Sequence, residues 1–428
     1  MGVDVGAAMT FAGARAAVGR TLHDPAQVLA MVLLGALALR VIWLWLPQGS
    51  LIFDESYYVN AARVILGWDV PAGAHYEGSL AGFDPNEEHP PLGKAIIALS
   101  MLVFGDNGVG YRIPSVLAGM VSLAAVYGIV RAAGQTQRLG LLAVALLALD
   151  NLTFVHARIG TLDMLALAPV LVGAWLGLRG HWGWAGLALA IGSMVKLTGA
   201  FALVGLLLFQ AVELVRRWKT ERRLGFDDLR PTILLGAVYL AVGLTGLWLL
   251  DLRFSPYPDP LSHLAHMAAF GSALRAPDGL TGIASYPWQW LINEGHIDYL
   301  RVVVSTTVEG QPAGSHVSIN FRGAINPVLL GAAPLGLLFS GWLAWRRADR
   351  AATWAVTWAA ATYLPYVALA IVAQRITYLY YMVPAMPALA VAVALLLARS
   401  GLPRFVTWGF LALMVVGYLA LFPFRQLP

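Results

Sequence analysis

Apolar runs of about twenty residues recur along this chain, and short loops between them carry most of its Lys and Arg; no other feature constrains the fold as strongly. In hydrocarbon a backbone must satisfy its own polar groups. Such runs, lacking strand-like alternation, predict membrane-spanning helices and exclude a barrel. With 428 residues, 59% hydrophobic and 12% charged, the chain is too apolar for a soluble enzyme of that length. The expected fold is therefore all-α, a polytopic membrane protein. Cysteine is absent, which excludes disulfides, thiol catalysis and cysteine-ligated metals. The net charge of +5 does not signal nucleic acid, because the basic residues stand where membrane orientation accounts for them.

The stretch 1–26 carries Arg15, Arg20 and Asp24 and lacks a compact apolar core ahead of a small-residue cleavage site. It reads as a cytoplasmic lead-in with room for a short amphipathic helix, and not as a cleavable signal. The first span is expected over 27–46, with Trp43 and Trp45 in an interfacial belt. Beyond it, Tyr57, Tyr58, Ala61, Ala62 and Ile65 fall at helical spacing and predict an amphipathic helix lying along the membrane surface. The apolar run 91–104 is too short to cross and reads as re-entrant or interfacial. Arg131, Arg138, Arg179, the cluster Arg216, Arg217, Lys219, Arg222 and Arg223, and later Arg346, Arg347 and Arg350 then all fall on the N-terminal, cytoplasmic side. Counting that run as a span would reverse them. The expectation is one domain over 1–428 with about eleven spans, a first external loop at 47–110, a late one at 251–322, and the C-terminus on their side.

These two external regions hold nearly all the chemistry. Asp54 and Glu55 form an adjacent carboxylate pair just past the first span, in a chain where charge near lipid is costly. A transferase using a lipid-phosphate sugar needs one carboxylate to take the acceptor's proton and cations to stabilise the departing phosphate. A glycosidase would need two opposed carboxylates. Asp54 suits the single base, against the alternative of a merely solvated charge, while Glu55 either caps the following helix or joins the site. Asp163 is either a helix N-terminal carboxylate paired with Arg158 or a site residue. Lys196 and Arg375 lie in apolar surroundings, where each either snorkels or meets an anion. Glu87, Glu88, His89, His263 and His266 have side chains that suit several metals, but their spacing is not that of a compact ligand motif.

In order along the chain, these residues resemble the protein O-mannosyltransferase family, within the membrane glycosyltransferases that use polyprenyl-phosphate sugars. Its Asp-Glu pair looks like Asp54 and Glu55, with Tyr58 and Ala62 in the helix behind; its His-Pro-Pro-Leu-Gly-Lys motif stands at His89 to Lys94. Its Arg-x-x-x-Leu-Asp turn resembles Arg158, Leu162 and Asp163, and its Lys-x-Thr-Gly turn Lys196, Thr198 and Gly199. The segment Ser285 to Leu291, with Trp288, is similar to its Ser-x-Pro-Trp-x-Trp stretch; Gly323-Ala324-Ile325-Asn326-Pro327 resembles its Gly-Asn-Pro turn in a weakened form, and Arg375 through Pro384 and Pro387 its late helix.

The resemblance implies a GT-C-type membrane fold and an inverting transfer of a hexose, most often mannose, from polyprenyl phosphate to a hydroxyl on protein, lipid or glycan at the outer face of a bacterial plasma membrane. It implies Asp54 as base, Glu55 and Asp163 shaping the site, and His89, Lys94, Arg158, Lys196, Arg375, Tyr58 and Trp288 around the substrate. In related lipid-modifying enzymes a divalent metal binds near the first loop, which keeps Glu87, Glu88 and His266 open as ligands. The eukaryotic beta-trefoil module has no counterpart, so the acceptor need not be a protein. The rival reading is a transporter or flippase of lipid-linked sugars, which would place polar groups at midplane within repeated halves. Arg40, inside the first expected span, is the one residue on that side of the ledger. The sugar, the acceptor and the oligomeric state are not legible in the residues.

Overall fold

The computed structural model describes residues 24–308 and 311–424. The expected amphipathic segment of the lead-in lies outside the described residues. Helix follows helix: α1 (Pro25–Val41), α2 (Glu55–Leu66), α3 (Leu92–Phe104), α4 (Gly108–Ala132), α5 (Gln137–Ala148), α6 (Asn151–His156), α7 (Leu162–Leu178) and α8 (Trp182–Val195). Then come α9 (Ala200–Glu221), α10 (Phe226–Phe254), α11 (Pro260–Ala273), the single turn α12 (Pro287–Trp290), α13 (Pro327–Arg347), α14 (Arg350–Val372), α15 (Met386–Arg399) and α16 (Arg404–Ala420). Five segments among the described residues are long and apolar enough to cross a membrane: Gly108–Ala132, Leu197–Glu221, Phe226–Phe254, Pro327–Arg347 and Arg350–Val372. The others expected to span are apolar helices of 17 residues or fewer.

The interior is built where apolar helices meet on small residues. α4 packs on α7, α7 on α8 and α8 on α10, while α9 pairs with α14 and α13 with α15. Gly186 lets α8 approach α10 until a Cβ there would stand 2.6 Å from the Leu235 carbonyl oxygen, a contact no larger residue permits. Trp354, Trp358 and most of α15 are buried, whereas α10 exposes most of its length, including Leu240 and Trp248.

Three features depart from the expected pattern. The apolar run over 139–156, one of the expected crossings, breaks at Asp150, whose carboxylate caps α6 by accepting from Thr153 N (2.8 Å) and Thr153 Oγ1 (2.7 Å). The same carboxylate accepts from Asn326 N at 3.0 Å, so this break joins the Asn-Pro turn before α13. The fold is also not purely helical. Within the late loop, β1 (Ile297–Val308) and β2 (Gln311–Gly323) form an antiparallel hairpin, with Ile297 opposite Gly323 and register irregularities along its length. Its base is anchored by buried Ile297, Tyr299 and Phe321. Arg40, finally, neither snorkels nor reaches the loops: its guanidinium is buried, donates to Ala36 O at 3.1 Å and lies over the Phe154 ring at 5.3 Å.

Candidate active site

α2 begins at Asp54 because the chain turns sharply before it. Phe53 takes a left-handed φ of +55°, unusual for an aromatic residue, and is held there by stacking on Tyr299 of the hairpin at 4.2 Å. Glu55 pins the same turn from beneath. Fully buried, it accepts from Ile52 N (2.7 Å) and Gly160 N (2.8 Å) and takes both Arg112 Nε (2.8 Å) and Arg112 Nη2 (2.9 Å). Every acceptor site of that carboxylate is used within the protein, so Glu55 builds the turn and does not face the substrate space.

The second strand of the first loop is fastened by Lys94. Its ammonium pairs with Asp84 at 2.6 Å and donates to Asn86 O (2.5 Å) and His89 O (2.6 Å), all of it buried. Lys94 therefore staples the loop, a correction to its expected contact with substrate. Gly93 beside it packs so closely that a Cβ would stand 2.6 Å from Leu162, next to Asp163. The late region docks on this loop through His263, which bonds Asp251 Oδ1 (2.7 Å) and Glu87 O (3.1 Å), and through Asp84 N donating to Phe254 O at 2.7 Å.

Between these walls lies a cavity of about 510 Å³ lined by Asp54, Tyr57, Tyr58, Glu88, His89, Lys196 and Arg375, with Phe270, Tyr378, Tyr380 and Tyr381 from the late regions. Residues from positions 54 to 381 thus converge on one space. A second chamber of about 340 Å³ shares His89, Lys196, Arg375 and Tyr381 with it and continues between Phe201, Leu369 and Arg275. Burial pushes the Asp54 carboxyl up to about 7; Lys196 pulls against that, and Asp163 and Glu88 add to it. The His89 imidazole is held well below its ordinary value by burial and by the neighbouring Lys196 and Lys94, so it is neutral at pH 7.

Lys196 ends α8 and is aimed by Asp163, whose Oδ1 it meets at 2.7 Å; its ammonium also lies over the Tyr380 ring at 5.2 Å. Asp163 thus pairs with Lys196 and not with Arg158. Behind it stands a residue sequence reasoning missed, His156, with Nδ1 3.5 Å from Asp163 Oδ2 and 3.3 Å from Thr161 Oγ1, and Nε2 2.8 Å from Tyr299 Oη. Asp54, Phe53, Tyr299, His156, Asp163 and Lys196 form a chain of contacts that closes around the cavity. Arg375 is placed by a zipper of backbone bonds, Ile376 N to Leu274 O (3.0 Å) and Ala276 N to Gln374 O (3.0 Å). It passes Gly271, where a Cβ would stand 3.0 Å from its Nη1.

Two further expectations are corrected. Arg158 donates to Leu39 O and Ile42 O, both at 2.6 Å, with its guanidinium over Phe424 at 5.2 Å. It caps the C-terminal end of α1 and stands outside the cavity. Trp288 stacks on Tyr286 at 4.7 Å and is 47% exposed, again outside; its neighbour Trp290 is the buried one, donating to Ser285 Oγ at 2.9 Å. Glu87 and His266 approach to 3.8 Å while Tyr257 donates to Glu87 at 2.5 Å, and Glu88 faces the cavity. Among the described residues no group of three or more His, Asp or Glu gathers closely enough to hold a metal ion.

Residues 88–226 match the model of the dolichyl-phosphate-mannose-protein mannosyltransferase family. Over that segment, about a third of the chain, the sequence is similar to this family. The polyprenol-phosphate-mannose–protein mannosyltransferase of Mycobacterium tuberculosis is 37% identical over 116 residues, 27% of this chain and 21% of that protein. Its counterpart in Corynebacterium glutamicum is 30% identical over 135 residues, 31% of this chain and 26% of its own length. The matched stretches thus span only about a quarter of those relatives. Over the whole fold, 93% of the chain superposes on 90% of a chain from the S. cerevisiae protein O-mannosyltransferase Pmt1-Pmt2 complex bound to the sugar donor, with TM-score 0.68 and 11% identity. ArnT from Cupriavidus metallidurans bound to undecaprenyl phosphate superposes over 90% of this chain and 61% of its own, with TM-score 0.54 and 20% identity. The chain shares the fold of these two structures, and the protein is an integral membrane protein.

Proposed function

We propose that this protein is an inverting membrane glycosyltransferase that moves a mannosyl group from polyprenyl phosphate to an acceptor hydroxyl. The observation that carries the reading is the composition of one cavity: a carboxylate of raised pKa, Asp54, opposite two cations, Lys196 and Arg375. The mannosyltransferase names of the matched relatives and the polyprenyl phosphate of ArnT support the donor.

The residues divide the work as follows. Asp54 accepts the proton of the acceptor hydroxyl as its oxygen bonds the anomeric carbon. The anomeric carbon–phosphate oxygen bond breaks in the same displacement, and its electron pair leaves on polyprenyl phosphate. Lys196 and Arg375 stabilise that departing anion, Asp163 aims Lys196, and neutral His89 offers a hydrogen bond at the junction of the two chambers. The second chamber, flanked by Phe201 and Leu369, is read as the entry of the lipid tail. The five long helices and six shorter ones, all but Leu92–Phe104, are read as eleven crossings that leave both loops on the extracytoplasmic side.

The test is Asp54→Asn, assayed with polyprenyl-phosphate mannose and a membrane-extract acceptor. The expected loss is about 10² to 10⁴-fold with donor affinity retained. Because the base acts as a carboxylate, wild-type kcat/KM rises with pH through about 7 and then levels, and the residual rate of the variant shows no such rise. Full activity of the variant removes Asp54 from the reaction.

A further inference from the structure

Across α2 from Asp54 lies another cavity, of about 650 Å³, which the reaction above leaves unused. Its walls come from the turn after α1, the outer side of α2, the loop around His75 and the start of α4, so it opens at the same end of the molecule. Consecutive residues of α2 divide the two spaces: Ser56 lines this one and Tyr57 the Asp54 cavity. The ridge between them carries a stack, Tyr57 on His75 at 4.0 Å.

The lining selects a class of ligand. Its only full charges, Arg63 and Asp106, neutralise each other through paired bonds of 2.8 and 3.0 Å, so nothing here draws a phosphate or carboxylate. The Gln48 amide interrupts the apolar surface, as do those of Asn60 and Asn107, which keep only part of their bonding capacity because they already bond Arg63 and neighbouring backbone, and this disfavours a lipid tail. Trp45, 47% exposed, presents a flat aromatic face. At the rim, Gly49 and Gly73 hold left-handed turns, φ +71° and +75°, where an added Cβ would meet nothing within 4 Å. Aromatic face, neutral amides and open rim together fit a pyranose, whose C–H face stacks while its hydroxyls hydrogen-bond.

We propose that this cavity is a carbohydrate subsite: it holds a sugar already present on a glycan acceptor while a hydroxyl of that glycan reaches over the Tyr57 ridge to Asp54. The inference rests on the transferase reading and deepens it, since it makes the enzyme an extender of glycans.

The probe is methyl α-mannobioside, and the key variant is Ala74→Trp, which fills the cavity from the half-buried wall position of Ala74 without touching the Asp54 cavity. Binding of the disaccharide to the full chain in nanodiscs, followed by saturation-transfer NMR, should weaken at least tenfold in Ala74→Trp and several-fold in Gln48→Ala. Polyprenyl phosphate binding, measured on the same samples, should stay within twofold and show that the variants are folded. With polyprenyl-phosphate mannose, KM for the disaccharide should rise at least tenfold in Ala74→Trp while kcat stays within threefold. No disaccharide binding by wild type, binding indifferent to Ala74→Trp, or a sugar-free serine peptide displaced by that variant instead each overturns the subsite. Disaccharide binding of the expected pattern without transfer to any acceptor keeps the subsite and overturns the transferase reading.

Discussion

The two walls of the Asp54 cavity are made in opposite ways. The first-loop wall is local: Asp54, Tyr57 and Tyr58 come from one helix start, and His89 from a turn pinned by Lys94 a few residues on. Its polar groups are closed by bonds within the loop or to the adjoining helix ends, as Glu55 and Arg112 illustrate. The opposite wall is assembled from Lys196, Phe270, Arg375, Tyr378, Tyr380 and Tyr381, segments spread between positions 196 and 381 and joined by backbone zippers and by the hairpin. Asp54, the proposed base, therefore sits on a preformed edge, while Lys196 and Arg375 are aimed only once distant segments dock. Pre-organisation of that kind is where catalytic sites are most sensitive to change.

That contrast breaks most visibly at Asp163. In Asp163→Asn the buried Lys196 loses a 2.7 Å partner, and removing one member of a buried pair costs about 3–5 kcal/mol. Transfer should fall about 10²-fold or more, and thermal unfolding should come earlier. Asp163→Asn/Lys196→Met should recover most of the unfolding temperature without recovering activity. Recovery of activity in the double variant would show that the pair is structural and that the departing phosphate is held elsewhere.

A smaller effect sharpens the same comparison. Tyr299 and His156 connect the hairpin to Asp163 on one side and to Phe53 on the other, so they tie the assembled wall to the base. The arrangement that satisfies each group has Tyr299 donating to Nε2 and Nδ1–H facing Asp163. Tyr299→Phe and His156→Ala should each lower kcat about tenfold with little change in KM for acceptor, and the double variant should fall no further than the worse single one. Additive losses would mean that the hairpin does not act through His156.

How much of this was legible in the residues follows the same division. The helix α2, the short apolar helix α3 and the longer apolar helices could be read because periodicity and run length are local properties. Of the members of the cavity, Asp54, Lys196 and Arg375 were visible as charges beside lipid, and Tyr58 and His89 through the motifs of the resemblance. Direction was not. Arg158 and Lys94 are cations at the correct end of the molecule, yet each is spent on backbone carbonyls, Arg158 on those of Leu39 and Ile42, which spacing along the chain cannot reveal. His156 was hidden because a neutral imidazole within an apolar run carries no signal of its own. The hairpin had one, the β-branched run Val302 to Val304, but the surrounding helical pattern outweighed it. Glu88 and Tyr378 enter the cavity through folding alone.

The smallest expected effect marks the edge of the assembled wall. Trp288 shares a short motif with Trp290, yet the two rings take different roles: Trp290 is buried against Tyr363 and Tyr366, while Trp288 lies flat on Tyr286 and faces outward. Removing Trp288 forfeits one stacked pair, about 1 kcal/mol, without touching the cavity or the Arg375 zipper. Trp288→Ala should therefore change transfer by less than twofold with either donor or acceptor varied, whereas Trp290→Ala, which opens a void beneath the segment carrying Ser285 and its bonds to Thr377, should cost much of the activity through Arg375. A tenfold loss in Trp288→Ala, with unfolding unchanged, would move the boundary of the site outward and make that exposed ring a contact for the acceptor.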